Sequence, residues 1–189
     1  RGWTPPLPAT APIRPPCPAI IVVQHMPRHY LARLAQRLHG LLRIPVQLVD
    51  APTAVVPSTL FLAAGDGRHV ALQSKDGSDW LTLPAASAED LNIPSINTLF
   101  QSGVALPDAD GTLAILILLS GMGRDGAAGL RNLHLSGGEC WVEDPETARV
   151  PSMPKAAIAH GAAPRILRGL SLATALRQRL WHAASEGTQ

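Results

Sequence analysis

An unbroken apolar run, Leu113-Ala114-Ile115-Leu116-Ile117-Leu118-Leu119, empties into Ser120-Gly121-Met122-Gly123-Arg124-Asp125-Gly126. This junction constrains the chain more than any other stretch. A strand with no polar face must be covered on both sides, as the central strands of parallel sheets are. The glycines at 121, 123 and 126 let the backbone turn tightly where side chains would clash. Asp125 falls at the start of a predicted helix, whose positive end stabilises a carboxylate. A buried strand, a glycine-rich turn and an acid at the strand's carboxyl end form the crevice in which open α/β sheets hold their active sites. A second junction of this type lies upstream, where Ile20-Ile21-Val22-Val23 delivers Gln24-His25-Met26-Pro27. One imidazole and one carboxylate, each just past a buried strand, supply the base and the orienting acid of a nucleophile–base–acid arrangement. The nucleophile is not evident.

Composition narrows the class. A hydrophobic fraction of 46% against 16% charged residues describes a globular chain, since disorder needs more charge and fewer aliphatics. At 189 residues it fits one domain able to bury roughly 70% of its unfolded surface. No apolar run approaches the roughly 20 residues of a membrane span, and no signal peptide opens the chain, so a cytoplasmic location is expected. The first residue is Arg rather than Met, which suggests a partial or processed chain. A net charge of +2, with only two lysines (Lys75 and Lys155) and scattered arginines, argues against nucleic acid as a partner. Cys17 and Cys140 have neither disulfide-framework nor metal spacing, and the dispersed histidines form no ligand cluster, so neither cofactor nor metal is expected. The three glycines of 121–126 could cradle a phosphate, but the turn opens no first βαβ unit and its own acid would repel the ligand.

Along the chain, seven prolines within residues 1–18 exclude an interior helix or central strand, and the segment reads as an extended N-terminal arm. Residues 19–189 read as a single α/β domain. Strands are expected at 19–23, 46–49, 113–119, 139–142 and 165–168, with helices near 29–39, 95–103, 125–135, 154–160 and 171–183. Between 58 and 83, the short runs Thr59–Leu62, His69–Leu72 and Trp80–Leu83 are separated by Gly65-Asp66-Gly67 and Asp76-Gly77-Ser78. Those turn clusters predict an antiparallel hairpin insert. The expected fold is a three-layer α/β/α arrangement on a mostly parallel, doubly wound sheet.

With these residues placed, the chain resembles the catalytic domain of the CheB-type protein-glutamate methylesterases. Gln24-His25-Met26-Pro27 matches that family's QHMP, and Leu62-Ala63-Ala64-Gly65-Asp66 with His69 resembles its APGD-x-H turn. Pro94-Ser95-Ile96-Asn97 with Leu99-Phe100 and Ser102 resembles PSVD-x-LF-x-S. Leu119-Ser120-Gly121-Met122-Gly123-Arg124-Asp125-Gly126 resembles LTGMG-x-DG, and Met153-Pro154 matches a late MP. The resemblance implies hydrolysis of glutamyl methyl esters, and deamidation of glutamine at the same positions, by a serine–histidine–aspartate triad. It implies that His25 is the general base, Asp125 the acid that orients it, and Met122 the residue whose amide helps hold the oxyanion. It implies as partners the cytoplasmic helices of methyl-accepting chemotaxis receptors and an upstream receiver domain, without membrane insertion.

Several positions depart from that pattern. The family's serine lies in a GxSxGG turn ahead of QHMP, and no serine precedes His25; Gly2-Trp3-Thr4-Pro5-Pro6 offers only the hydroxyl of Thr4. Asp90-Leu91-Asn92-Ile93 stands where the family carries arginines, Asn97 replaces an acid, and Ala64 replaces a proline. The alternative expectation is therefore a non-catalytic descendant that binds a receptor or signalling partner.

Overall fold

The structure is a computed structural model describing residues 13, 15–64, 66–104, 114–162 and 164–186, with side chains through residue 180. Its elements run β1 (Ile20–Val22), α1 (Arg28–Leu42), β2 (Val46–Val49), β3 (Thr53–Ala54), β4 (Leu60–Ala63), β5 (Ala71–Lys75) and β6 (Ser78–Thr82). They continue with α2 (Ile96–Val104), β7 (Ile115–Leu118), α3 (Ala127–Leu135), β8 (Glu139–Glu143), α4 (Ser152–Ala159), β9 (Arg165–Leu167) and α5 (Gly169–Glu186). Parallel strands pair in two groups, β1-β4-β2 and β7-β8-β9, and β3-β6-β5 forms an antiparallel group. Helices cover both faces of the parallel strands, giving a three-layer α/β/α fold.

The layering follows from side-chain alternation along single strands. In β4, Leu60 and Leu62 join Leu31 and Ala35 of α1 in one cluster. Phe61 and Ala63 point the other way, toward Leu99 of α2 and toward Val70 and Leu81 of the antiparallel part. The second parallel group repeats this logic. Cys140 and Val142 pack with Leu130 and Leu133 of α3 and Ala157 of α4, whereas Trp141 packs with Leu172 and Ala175 of α5. Helix α2 joins the two halves, since Ile96 and Phe100 belong to the cluster over β7–β8 and Leu99 to that over β4. Each fully buried Leu, Ile, Val or Phe among these contributes roughly 1.5–3 kcal/mol of transfer free energy.

One sequence expectation needs correction. The run at 59–62 is not part of the antiparallel insert. Its residues 60–62 lie in β4, the middle strand of its parallel group, buried on both faces and in register with Ile20–Val22 and Val46–Val49. The antiparallel group is instead β5 and β6 joined across Asp76-Gly77, with the two-residue β3 added at its edge. A four-residue apolar run does not reveal whether its neighbours are parallel or antiparallel, and turn residues after it fit either. The proline-rich arm falls largely outside the described residues. Where it is described it is tied down, with the Cys17 amide bonded to Ser58 Oγ at 3.0 Å and that of Ile13 to the Leu42 carbonyl at 3.0 Å.

The turn between β7 and α3 tolerates no side chain at Gly126. Its φ is +89°, and a Cβ there would sit 2.6 Å from Leu118 Cδ1 and 2.8 Å from Ile96 Cγ2. Gly126→Ala combines left-handed strain with overpacking at the α2–β7 seam and should cost roughly 2–4 kcal/mol. Urea denaturation of the variant beside the parent chain measures this; an unchanged midpoint would mean the seam is looser than described.

Candidate active site

Both histidines and the acid at the site come from segments that leave the carboxyl ends of parallel strands. His25 follows β1, His69 follows β4, and Asp125 follows β7. Parallel strands deliver their carboxyl ends to one rim, so residues remote in sequence meet there. The Asp125 carboxylate is almost completely buried, at 3% exposure, and lies beneath the first turn of α2. Its Oδ2 accepts the Ile96 amide at 2.6 Å, and its Oδ1 accepts the Asn97 amide and the Ser95 hydroxyl, each at 3.0 Å. The amide of Gly126 adds a further bond to Oδ1 at 3.0 Å. His25 Nε2 lies 3.1 Å from Oδ2, with the ring partly open to solvent.

Burial by itself would push the Asp125 carboxyl up. The His25 ring, the Asn97 and Ile96 amides and the Ser95 hydroxyl together outweigh it and hold its pKa below the ordinary carboxylate value. Asp125 is therefore ionised at neutral pH. The sequence led us to expect a carboxylate at the positive end of its own helix, but the helix that stabilises it is α2, reached across the molecule. Asp125 precedes α3 and accepts only the amide of its N-cap, Gly126, whereas α2 supplies the amides of Ile96 and Asn97.

The facing nitrogen fixes the chemistry of His25. Nε2 must carry a proton to bond a carboxylate, which leaves Nδ1 with its lone pair free to accept one. Met122 lies on the loop past β7, its side chain 84% exposed. This loop is braced from behind by the segment before α4. Gly121 exchanges backbone bonds with Val150 and Met153, and Ser152 Oγ accepts the Gly123 amide at 3.1 Å and donates to the Gly121 carbonyl at 2.8 Å. A Cβ at Gly121 would overlap the Met153 sulfur, so the Met-Pro segment and the glycine turn need each other. Ser120 is held by its amide on Glu143 Oε2 at 2.8 Å.

The Ser95 hydroxyl donates to Asp125 and that of Ser152 to the Gly121 carbonyl, so neither is free to serve as a nucleophile. Neither thiol fills that role. Burial, with the charge of Glu139 beside it, pushes Cys140 up to about 11, and burial also raises Cys17, so both stay protonated. No group of residues that could hold a metal occurs among those described. No described helix is long and apolar enough to cross a membrane. Arg28 is engaged by Asp50 and Asp66. The role of the α2 start in holding Asp125 was not legible beforehand. Ser95 was identifiable as a helix cap, and it does accept the Thr98 amide at 3.3 Å. Nothing local announced that the same cap would meet Asp125, thirty residues on.

The chain is similar to known proteins. A family model described as CheB methylesterase matches residues 9–176. A protein-glutamate methylesterase/protein-glutamine glutaminase 1 of Xanthomonas oryzae pv. oryzae is 36% identical over 151 residues, covering 80% of this chain and 42% of the relative. A protein-glutamate methylesterase/protein-glutamine glutaminase of Nitrosomonas europaea is 33% identical over 176 residues, covering 93% and 48%. The chain thus spans less than half the length of these relatives. The crystal structure of the Thermotoga maritima CheB methylesterase catalytic domain superposes with a TM-score of 0.78 at 28% identity, over 88% of this chain and 86% of that one.

Because the folded-state pKa of Asp125 is depressed, its stabilising contribution is present above the unfolded-state value near 3.8 and disappears as pH falls through the lower folded value. Asp125→Asn removes the charge from its backbone and hydroxyl donors and should cost roughly 2–3 kcal/mol at neutral pH. The variant should also show a flatter loss of stability on acidification than the parent. Denaturation midpoints measured at neutral pH and below 3.8 test both; parallel acid limbs in the two proteins would contradict the assignment.

Proposed function

Since the chain belongs to the CheB methylesterase family, we propose that it supplies the base, the orienting acid and the oxyanion donor of a protein-glutamate methylesterase. The observation that carries this reading is the 3.1 Å approach of His25 Nε2 to a buried, five-donor Asp125 carboxylate at the sheet rim. In the proposed reaction, His25 Nδ1 takes the proton of an attacking serine hydroxyl, and Asp125 stabilises the imidazolium that results. The serine oxygen adds to the ester carbonyl, and the developing oxyanion is met by the backbone amide of Met122. His25 then returns its proton to the departing methoxide, releasing methanol, and water repeats the cycle on the acyl-serine. Glutamine deamidation follows the same path with ammonia leaving. The substrates in this reading are glutamyl methyl esters on the cytoplasmic helices of chemotaxis receptors, and the setting is the cytoplasm. A receiver domain ahead of this segment completes the longer protein in the same reading, with residues 19–189 forming one domain behind the proline-rich arm.

A second reading rests on a specific observation. No serine precedes His25, and the Ser95 hydroxyl is committed to Asp125. In that reading the 189-residue chain as it stands binds receptor helices and has at most residual turnover. A triad lacking one member retains on the order of 10³–10⁴-fold catalysis over water. The expected result with a small activated ester is therefore weak turnover that falls further in His25→Ala. Adding a GxSxGG segment ahead of the chain should raise it by several orders of magnitude. Vigorous hydrolysis by the chain as it stands, unaffected by His25→Ala, would place the chemistry elsewhere.

A further inference from the structure

A second histidine–aspartate pair lies behind the site and plays no part in the reaction described above. His69 is buried, at 5% exposure, and both ring nitrogens are used. Nδ1 accepts the backbone N–H of Ser95 at 3.0 Å, and Nε2 lies 3.1 Å from Asp90 Oδ2. A nitrogen that accepts from an amide carries no proton, so the ring is neutral with its hydrogen on Nε2, directed at Asp90. Asp90 is itself fixed, its Oδ2 accepting the Ser87 amide at 2.6 Å. The hydrogen bond from His69, followed by that from Ser87, lowers the Asp90 carboxyl below its ordinary value.

Ser95 is where this pair meets the other. Its amide is held by His69, its hydroxyl donates to Asp125, and the amides of the next two residues, Ile96 and Asn97, also donate to Asp125. We infer that His69 is a positioning residue for the Asp125–His25 pair, acting through the Ser95 amide to aim the start of α2 at the Asp125 carboxylate. The inference rests on the reading of His25 and Asp125 as the base and its orienting acid. Without an acceptor at His69 Nδ1, the Ser95 amide would be left unpaired in a half-buried position, which favours rotation of the segment. Three of the donors to Asp125 would move with it. Packing alone does not account for the arrangement, because a space-filling role needs neither nitrogen.

Asparagine and glutamine separate the two nitrogens. The Asn carbonyl can occupy the place of Nδ1, whereas the Gln amide reaches toward the place of Nε2 and leaves Ser95 without its acceptor. The experiment is the titration of the Asp125 carboxyl carbon by NMR in the parent chain, His69→Gln and His69→Asn. The midpoint should lie below 3.8 in the parent, rise toward that value in His69→Gln, and return to the parent position in His69→Asn. An unmoved midpoint in folded His69→Gln, or equal rises in both variants, would overturn the inference. Should His69→Gln not fold, the unmodified chain decides. There the through-hydrogen-bond coupling between the Ser95 amide nitrogen and His69 Nδ1 must be detectable by NMR, and its absence overturns the inference. Neither measurement involves ester turnover, so a failure of the esterase reading leaves this test intact.

Discussion

A single buried carboxylate organises this molecule. Asp125 brings together the turn after β7, the first turn of α2 and the ring of His25, elements that share no local sequence. A buried charge is costly unless its lone pairs are filled, and here they are filled chiefly by backbone amides that a helix start must offer to something. The helix needs an acceptor for its orphan amides, and the carboxylate needs donors. Their mutual satisfaction fixes α2 against the β7 turn. The same contact leaves the acid 3.1 Å from His25 Nε2. The glycines around it are the steric counterpart. Gly126 admits Leu118 and Ile96, and Gly121 admits Met153, so the loop closes to backbone distance on both sides.

Seen this way, the proline- and serine-bearing strap before α2 is part of the site rather than a connector. Ser95 caps its own helix, bonds the buried acid through its hydroxyl, and is anchored by His69 through its amide. Just before it, Asp90 is committed to His69, and Leu91 is exposed at 95%.

The sequence was most legible in the strands themselves. The run into Leu118 and the run Ile20-Ile21-Val22 do form parallel strands, and His25 and Asp125 follow from their ends, but both are mostly half-buried outer members of their groups, and the strand buried on both faces is β4. The limits are equally physical. Leu60-Phe61-Leu62-Ala63 is apolar throughout, and only its neighbours make it a parallel strand. Two-residue β3 carries no periodicity at all. His69 read as a turn residue because its ligation to Ser95 and Asp90 spans more than twenty residues in each case, beyond the reach of any local signal. The helix that stabilises Asp125 could be named only once α2 was seen to dock there.

Which nitrogen of His25 faces the buried acid decides whether Asp125 orients the ring. Long-range ¹H–¹⁵N NMR of the neutral ring reads this directly in the chain as it stands. The proton should reside on Nε2, bound toward Asp125, with Nδ1 giving the signal of an unprotonated, pyridine-like nitrogen. A ring protonated on Nδ1, or one exchanging freely between the two forms, would mean that Asp125 does not orient His25 and that the pairing at the heart of the site does not exist.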